Sequence, residues 1–470
     1  MKERRISKPY RRAIFLFRRD LRVVDNRGLN RARQRADTVQ PLFVLDPRQL
    51  DEHPYRSDPA LAFMAVSLSE LASALGAQGG RLQLRYGHAA EVLAELVTTQ
   101  SIDAVFVNRD FSAFSRVRDD ELAACCAAHG CAWHAVDDLL LQPPERCLKG
   151  DGQPYRIFTP FYRNAAQLPV ALPAPLTEGR WLDVRVSPEQ PPLPALLQPL
   201  LRHPAPGALW QGGRREALGL LAQLRDCGAY AQQRDLPALT GTSRLSAHLK
   251  FGTCSVRELY YRARDALGEE HPLLRQLYWR DFFTHIAWHF PHVFGGAFDP
   301  RYDALAWRND AQQFAAWCRG QTGFPIVDSG MRELNQSGYM HNRVRMIVAS
   351  FLVKDLQIDW RWGERYFARH LIDYDPCVNN GSWQWAASTG CDAQPWFRIF
   401  NPWLQQRKFD SDARYIRRWV PELATLESRA IHRLEREPAP PGYPAPLVIH
   451  QQQREIAKQR YRQALAQEPG

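Results

Sequence analysis

Between Asp373 and Trp385 the chain gathers two carboxylates (Asp373, Asp375), two adjacent amides (Asn379, Asn380) and two indoles (Trp383, Trp385), then runs on through Trp396, Arg398 and Asn401-Pro402. Read as a helix from about Asn380, the stretch puts Asn379 and Trp383, four apart, on one face. Trp383 and Trp385 diverge by roughly 200° and meet different neighbours. A core helix would repeat apolar residues at three and four. Here amide alternates with indole, which suits a planar aromatic ligand on one side and a second cavity on the other.

Three further constellations carry possible chemistry. Thr240-Gly-Thr242-Ser243-Arg244-Leu245-Ser246 precedes a helical run. Hydroxyls and free amides at a helix start can hold an anion such as a pyrophosphate, and the plainer alternative is an N-cap with nothing bound. Gln276, Trp279 and Arg280 share one helical face by three-and-four spacing; the alternative is an aromatic core stripe with a surface Arg. His341-Asn342-Arg343-Val-Arg345-Met346 opens a helix whose continuation, Ile347 to Val353, is apolar. That helix is therefore buried, and a buried guanidinium at Arg345 needs a carboxylate, for which Asp373 is the candidate. His341 reads as a satisfied polar core residue rather than an acid-base catalyst. Trp307, Trp317, Trp360, Trp362 and Trp396 are spread over several helices and on composition alone read as core.

The elements that position these residues follow from patterning. Residues 13–140 alternate strand and helix signals: Ala13–Phe17, Gln40–Leu45, Leu82–Tyr86 and Ala104–Val107 as strands, Leu61–Leu75 and Ala89–Thr98 as helices. This predicts an α/β domain over 1–140 built on a doubly wound parallel sheet. Its strand ends carry Arg18-Arg19-Asp20 and Asn108-Arg109-Asp110, where such sheets take ligands. No G-x-G-x-x-G opens a helix, which excludes an ordinary dinucleotide-binding dehydrogenase. Residues 141–207 form a long Pro-rich connector (Leu168–Pro175, Pro191–Pro194), and 208–470 a large all-α domain ending in a polar helix over Gln451–Ala466.

The chain has 470 residues, 45% hydrophobic and 24% charged, as in a soluble globular protein of two or more domains. Its net charge of +11 points to a polyanionic partner, with nucleic acid the default. The aromatic content of 11%, with 14 Trp, suggests stacking surfaces as well as core. None of the nine Cys forms a C-x-x-C pair. Cys125, Cys126, His129 and Cys131 read as buried small residues rather than a metal site, so no metal is expected. Reduced thiols, a basic Met1–Arg12 without an apolar signal region, and no apolar run of membrane-spanning length predict a cytoplasmic protein with no membrane partner.

Together these stretches resemble the DNA photolyase/cryptochrome family, most closely class I cyclobutane pyrimidine dimer (CPD) photolyases. Phe17-Arg18-Arg19-Asp20-Leu-Arg22-Val-Val-Asp25-Asn26 is similar to the family's N-terminal signature. Thr242–Ser246, Trp279-Arg280-Asp281-Phe282, His341–Met346, Asp359-Trp360-Arg361-Trp-Gly-Glu364-Arg365-Tyr366 and Asn379–Trp385 follow in the family's order. The resemblance implies a U-shaped FAD inside the helical domain. By it, Tyr230, Thr242, Ser243, Leu245 and Ser246 lie around the FAD phosphates. Asn342, Arg345, Asp373, Asp375 and Asn379 line the flavin, with Asn379 at N5. Trp383, Trp360 and Trp307 form an electron relay to the surface. Gln276, Trp279, Arg280, Asn342, Met346 and Trp385 wall the cavity for the dimer, and Arg343, Arg398 and Lys408 meet DNA phosphates. Flipping of the lesion out of the duplex is likewise implied by the family rather than read from these residues. The activity implied is light-driven repair of dimer-containing DNA by electron transfer from reduced FAD, by a monomer.

The sequence departs from that pattern in two places. Gln276 stands where class I enzymes have Glu, and Gln here resembles (6-4) photolyases; their paired histidines are missing, since Asn342 follows His341 and position 345 is Arg. The Asn108-Arg109-Asp110 loop matches neither antenna pattern, so methenyltetrahydrofolate and 8-hydroxy-deazaflavin stay open as the second chromophore. A (6-4) photolyase and a cryptochrome-type photoreceptor remain the alternatives; receptors typically add a long C-terminal extension, which is not expected beyond Pro446–His450.

Overall fold

The computed structural model describes residues 8–183, 193–201 and 210–466. Part of the expected connector, including Pro191-Pro192, and Met1–Ser7 lie outside the described residues. Five parallel strands form the amino-terminal sheet: β1 (Tyr10–Phe17), β2 (Ala36–Leu45), β3 (Gln83–Tyr86), β4 (Ala104–Asn108) and β5 (Ala132–Val136), in the order β3-β2-β1-β4-β5. The order reverses at β1, which makes the sheet doubly wound. β1 is buried throughout Ala13–Phe17 because helices cover both faces. Alternate residues divide between two cores: Ala13, Phe15 and Phe17 face the helix Asp58–Gly76, and Ile14 and Leu16 face the helices Ala89–Gln100 and Ala113–Ala128. β5 was absent from the sequence expectation because its alternation is weak; it is an edge strand of partly buried residues. Cys126 and Cys131 are core residues of the second face.

The helix Asp58–Gly76 is, contrary to the sequence expectation, long and apolar enough by length and composition to cross a membrane. Here Phe63, Leu68, Leu71 and Leu75 pack it onto the sheet.

The connector is more than an extended strap. It contributes the helix Phe158–Ala165, whose Phe158 and Phe161 enter the core of the helical half, and a two-residue strand, β6 (Arg180–Trp181), that pairs with β2. Beyond it, helices account for every regular element among the described residues.

The two halves are joined by buried charge. Arg22 pairs with Asp138 at 2.5 Å, and Arg257, on the helix Val256–Leu267, pairs with Asp138 at 2.6 Å and Asp25 at 3.0 Å. Nearby, the helix Ser246–Phe251 ends at Gly252 with φ +63°, where a Cβ would sit 2.2 Å from the Arg19 carbonyl oxygen. Only glycine permits that approach.

Candidate functional site

The helix Pro376–Ala387 carries the residues from which the site is built. Asp375 caps it, accepting from Cys377 N at 3.0 Å and Val378 N at 3.2 Å, and Pro376 occupies the first turn. Asn379 and Trp383 then face inward together. Asn379 Nδ2 donates to the Glu364 carbonyl at 3.2 Å, leaving its oxygen as an acceptor with no donor among the described residues. The Trp383 indole lies edge-on to Phe367 (4.9 Å) and Trp317 (6.3 Å). It fits only because position 363 is glycine, where a Cβ would come within 2.1 Å of the ring. Trp385 diverges and is half-buried at the edge of the same core. The other amides serve the fold: Asn380 Nδ2 and Gln384 Nε2 both donate to the Val293 carbonyl, at 2.9 and 3.0 Å.

A second wall comes from the helix Asn342–Ser350. His341 caps it, its Nδ1 accepting from Arg343 N at 3.2 Å. Arg345 Nη2 donates to Asp373 Oδ2 at 3.0 Å and its Nε to the Met340 carbonyl at 2.7 Å, and its guanidinium lies over Tyr339 at 5.2 Å. Thr242, in the loop before the helix Ser246–Phe251, lies beside the Tyr339 hydroxyl. Asp373 Oδ1 is buried and has no donor among the described residues.

In that loop no side chain caps the helix Ser246–Phe251, so the capping alternative does not hold. Leu245 is buried, Thr242 and Ser243 are half-buried and Ser246 is exposed, with Tyr230 buried close by in the same core. An orphaned carboxylate oxygen, an unspent amide oxygen at Asn379 and uncapped hydroxyls fit a ligand that presents an imide N–H, a ring nitrogen and phosphates. FAD has all three.

Asp375, expected on the flavin, has its carboxylate engaged by Arg19, which also pairs with Asp110 at 3.1 Å, so its side chain takes part in the junction of the two halves. Burial opposes its ionisation, but Arg19, Lys250 and Arg280 outweigh that and hold its carboxyl down to about 2. Arg280 also departs from expectation. Rather than joining Gln276 and Trp279, it donates to the Leu139 carbonyl at 2.8 Å, drawn toward the buried Asp375 and Asp281. The crevice at the strand ends, lined by Arg18, Arg19, Asn108 and Asp110 among others, keeps only about 10 Å³, the space of about one water. Ion pairs fill the place where the sheet alone would take a ligand.

On the outer side, Trp279 of the helix Pro272–His289 stacks flat on Phe158 at 3.7 Å and meets Phe283 at 5.5 Å. Gln276, one turn before it, is half-buried with no side-chain partner among the described residues. Asn342 Nδ2 lies 3.9 Å from Met346 Sδ, so these two form one patch. Arg343 is shared between Asp235 (2.9 Å) and the Phe409 ring (4.5 Å), over which Lys408 also lies. Arg398 and Lys408 are exposed. Trp383 and Trp360 are buried in one core, at 2% and 1% exposed, and the part-exposed Trp307 packs against it.

Residue patterns did not reveal Phe158, Arg19 or Glu364. Phe158 lies in a segment read as connector; Arg19 was seen only as a strand end. Glu364 gave a weak signal as the lone acid of a Trp-Arg-Trp-Gly-Glu run. Burial pushes its carboxyl up to about 7 against hydrogen bonds with Asn380 and Tyr55. His341 is only half satisfied, its Nε2 lacking a partner, and burial lowers its imidazole to about 4.

Comparison with known proteins identifies the family. The DNA photolyase family model matches residues 13–177, and the model for the FAD binding domain of DNA photolyase matches 273–463. The chain is 40% identical to the deoxyribodipyrimidine photo-lyase of Vibrio cholerae over 95% of this chain and 98% of that one. It is 37% identical to that of Escherichia coli, over 93% and 96%. An archaeal photolyase from Sulfolobus tokodaii, solved with two FAD molecules, superposes with a TM-score of 0.87 at 42% identity, covering 96% of this chain and all of that one. A class III photolyase from Agrobacterium tumefaciens gives 0.89 at 35% identity, covering 99% and 100%.

Proposed function

The chain belongs to the DNA photolyase family and carries its FAD-binding domain, and from that premise we propose that it repairs cyclobutane pyrimidine dimers in DNA under light. The bound reduced FAD would supply an excited electron that the dimer takes up and returns once both cyclobutane bonds have opened. What this chain's residues do is bind, orient and keep dry. Asp373, held by Arg345, would accept an N–H from the flavin edge; Asn379 would offer its oxygen to the flavin ring; Thr242, Ser243, Leu245, Ser246 and Tyr230 would surround the phosphates, and Asn342 would close the rim. Trp383, Trp360 and Trp307 carry electrons inward from solvent. Trp279, Trp385, Gln276, Asn342 and Met346 receive the dimer, with Arg343, Arg398 and Lys408 on the flanking phosphates. Arg280 and Asp375 act one step back, joining the halves beneath the site.

The observation that favours CPD over (6-4) repair is the pair at 341 and 345. Only Nδ1 of His341 is used, in capping its helix, but burial lowers the imidazole to about 4 and leaves it uncharged near pH 7, and position 345 is a guanidinium clamped by Asp373 and the Met340 carbonyl. Neither can lend a proton to a lesion. Gln276 can still hydrogen-bond a thymine edge. For the second chromophore, the archaeal relative's two FAD molecules add flavin to folate and deazaflavin; mass spectrometry of the extracted chromophores decides among the three.

The test uses purified, reduced protein under blue light with two oligonucleotides, one holding a thymine dimer and the other a (6-4) product. Loss of the dimer is expected. Loss of the (6-4) product alone would overturn the assignment, and loss of neither, with photoreduction intact, would favour the receptor reading.

A further inference from the structure

Glu333, on the helix Pro325–Ser337, is a buried acid that reaches off its own helix. Its Oε2 accepts from His341 N at 3.2 Å and from the Tyr415 hydroxyl at 2.5 Å. His341 is the N-cap of the helix Asn342–Ser350, and in a capping box that backbone N–H is closed by an acid three residues on. Here the third helical residue is Val344 and the first turn holds no acid, so a neighbouring helix supplies the bond. The helix held in this way is the one that carries Asn342, Arg345 and Met346. An amide at 333 could accept the same hydrogen bond without the cost of burying a charge. A carboxylate adds negative charge at a helix N-terminus, which strengthens the bond to the cap and complements the helix dipole.

The charge is adjustable. Arg345 faces the carboxyl from the helix Asn342–Ser350, Tyr415 and Arg418 from the helix Arg414–Trp419, and Tyr339 and His341 from the loop before the capped helix. Burial pushes Glu333 up to about 7, against the hydrogen bonds from Tyr415 and His341 and the charges of Arg345 and Arg418. Burial also lowers the His341 imidazole to about 4 and raises the Tyr339 phenol to about 12 and the Tyr415 phenol further. Guanidiniums carry fixed charge. Of this set, Glu333 is the group that titrates near neutral pH.

We propose that Glu333 is a positioning residue that couples its own ionisation to the seating of the helix Asn342–Ser350, so that the protein holds its lesion more tightly with Glu333 ionised than with Glu333 protonated. The inference rests on the DNA-repair reading above for what that helix meets. Protonation turns two charge-assisted hydrogen bonds into neutral ones and removes the negative charge from the helix N-terminus. The first turn is then held less firmly, and with it Asn342, Arg345 and Met346.

The experiment follows the affinity of wild type, Glu333→Gln and Tyr415→Phe for a duplex containing a thymine dimer as pH is raised from about 6 to about 8. Glu333→Gln is fixed in the neutral form, so a change common to it and wild type belongs to other groups. Wild type should gain about fivefold more affinity than Glu333→Gln across that range. Tyr415→Phe removes a bond that favours the ionised carboxyl, so its midpoint should move to higher pH. A role in stability alone would lower Tm in both variants and leave the pH profile in place. The same profile in wild type and Glu333→Gln overturns the proposal, and so does a Tyr415→Phe midpoint at or below that of wild type. Hydrogen exchange over His341–Met346 without DNA is independent of the lesion. After correction for the intrinsic rate, protection should rise with pH in wild type and stay flat in Glu333→Gln; protection flat in both overturns the coupling. If protection behaves as expected but dimers are not preferred over undamaged duplex, the repair reading fails while the role of Glu333 at the helix stands.

Discussion

At the scale of single residues, the site depends on groups left without a partner inside the protein. Asp373 has one oxygen on Arg345 and one on nothing. Asp373→Asn removes the charge that neutralises a half-buried guanidinium, at a cost of about 2 kcal/mol, at the lower end for a broken pair because Arg345 keeps some exposure. It should also release flavin, read as a lower flavin-to-protein ratio after purification. Trp383→Phe should slow photoreduction of oxidised flavin at least tenfold while repair by chemically reduced enzyme is retained; equal loss of both would remove Trp383 from the relay. Glu364 gives a pH signature. Its folded-state carboxyl, near 7, lies above its ordinary 4.5, so protonation favours the fold. That contribution is complete below pH 4.5 and is lost as pH rises to about 7. Glu364→Gln should therefore lack a fall of about 3 kcal/mol across that window, measured by denaturant unfolding at each pH.

At the scale of elements, what positions the site is how helices approach one another. Trp383 occupies the space that Gly363 leaves on the helix Trp360–His370. Gly363→Ala inserts a methyl into that contact and into Leu352, with no flexible chain end to yield, and should cost about 1–3 kcal/mol. A lowered Tm together with altered tryptophan fluorescence would report the displaced ring; an unchanged Tm would mean the helix pair can part freely. This level was only partly legible in the sequence. The alternation of Ala13 to Phe17 and the three-and-four spacing from Asn379 to Trp383 are local, so periodicity reads them. That Phe158 would lie flat on Trp279 is not local, since those residues are far apart in the chain. Arg280 shows the same limit: spacing put it on the face of Trp279, but its guanidinium donates to the Leu139 carbonyl and is attracted by Asp375, both from other elements. The grouping of Asn342, Arg345 and Met346 was legible because one short helix supplies all three.

At the scale of the whole molecule, the α/β half and the helical half meet through buried charge as well as apolar contacts such as Phe63 on Phe251 and Phe111 on Trp288. Arg19 stands between Asp110 of the first half and Asp375, the cap of the site helix. Arg19→Ala would remove the guanidinium that Asp110 and Asp375 share, leaving Lys250 as the cation common to both, and about 3 kcal/mol should be lost. If the junction supports the site, flavin affinity should drop along with Tm; a drop in Tm with full flavin retention would confine Arg19 to stability. The other interdomain cluster bears on how the chain is made. Among the described residues Asp25 pairs with a guanidinium only on Arg257, more than two hundred positions later, and Asp138 shares that same partner. While the protein emerges from the ribosome, the sheet can assemble early and Ala174 N can donate to Asp25, yet that buried carboxylate lacks its ion-pair partner until the helix Val256–Leu267 has left the exit tunnel. The stretch 13–177 that matches as a sequence unit should therefore be less stable expressed by itself than in the whole chain, and prone to proteolysis at the loop containing Asp25.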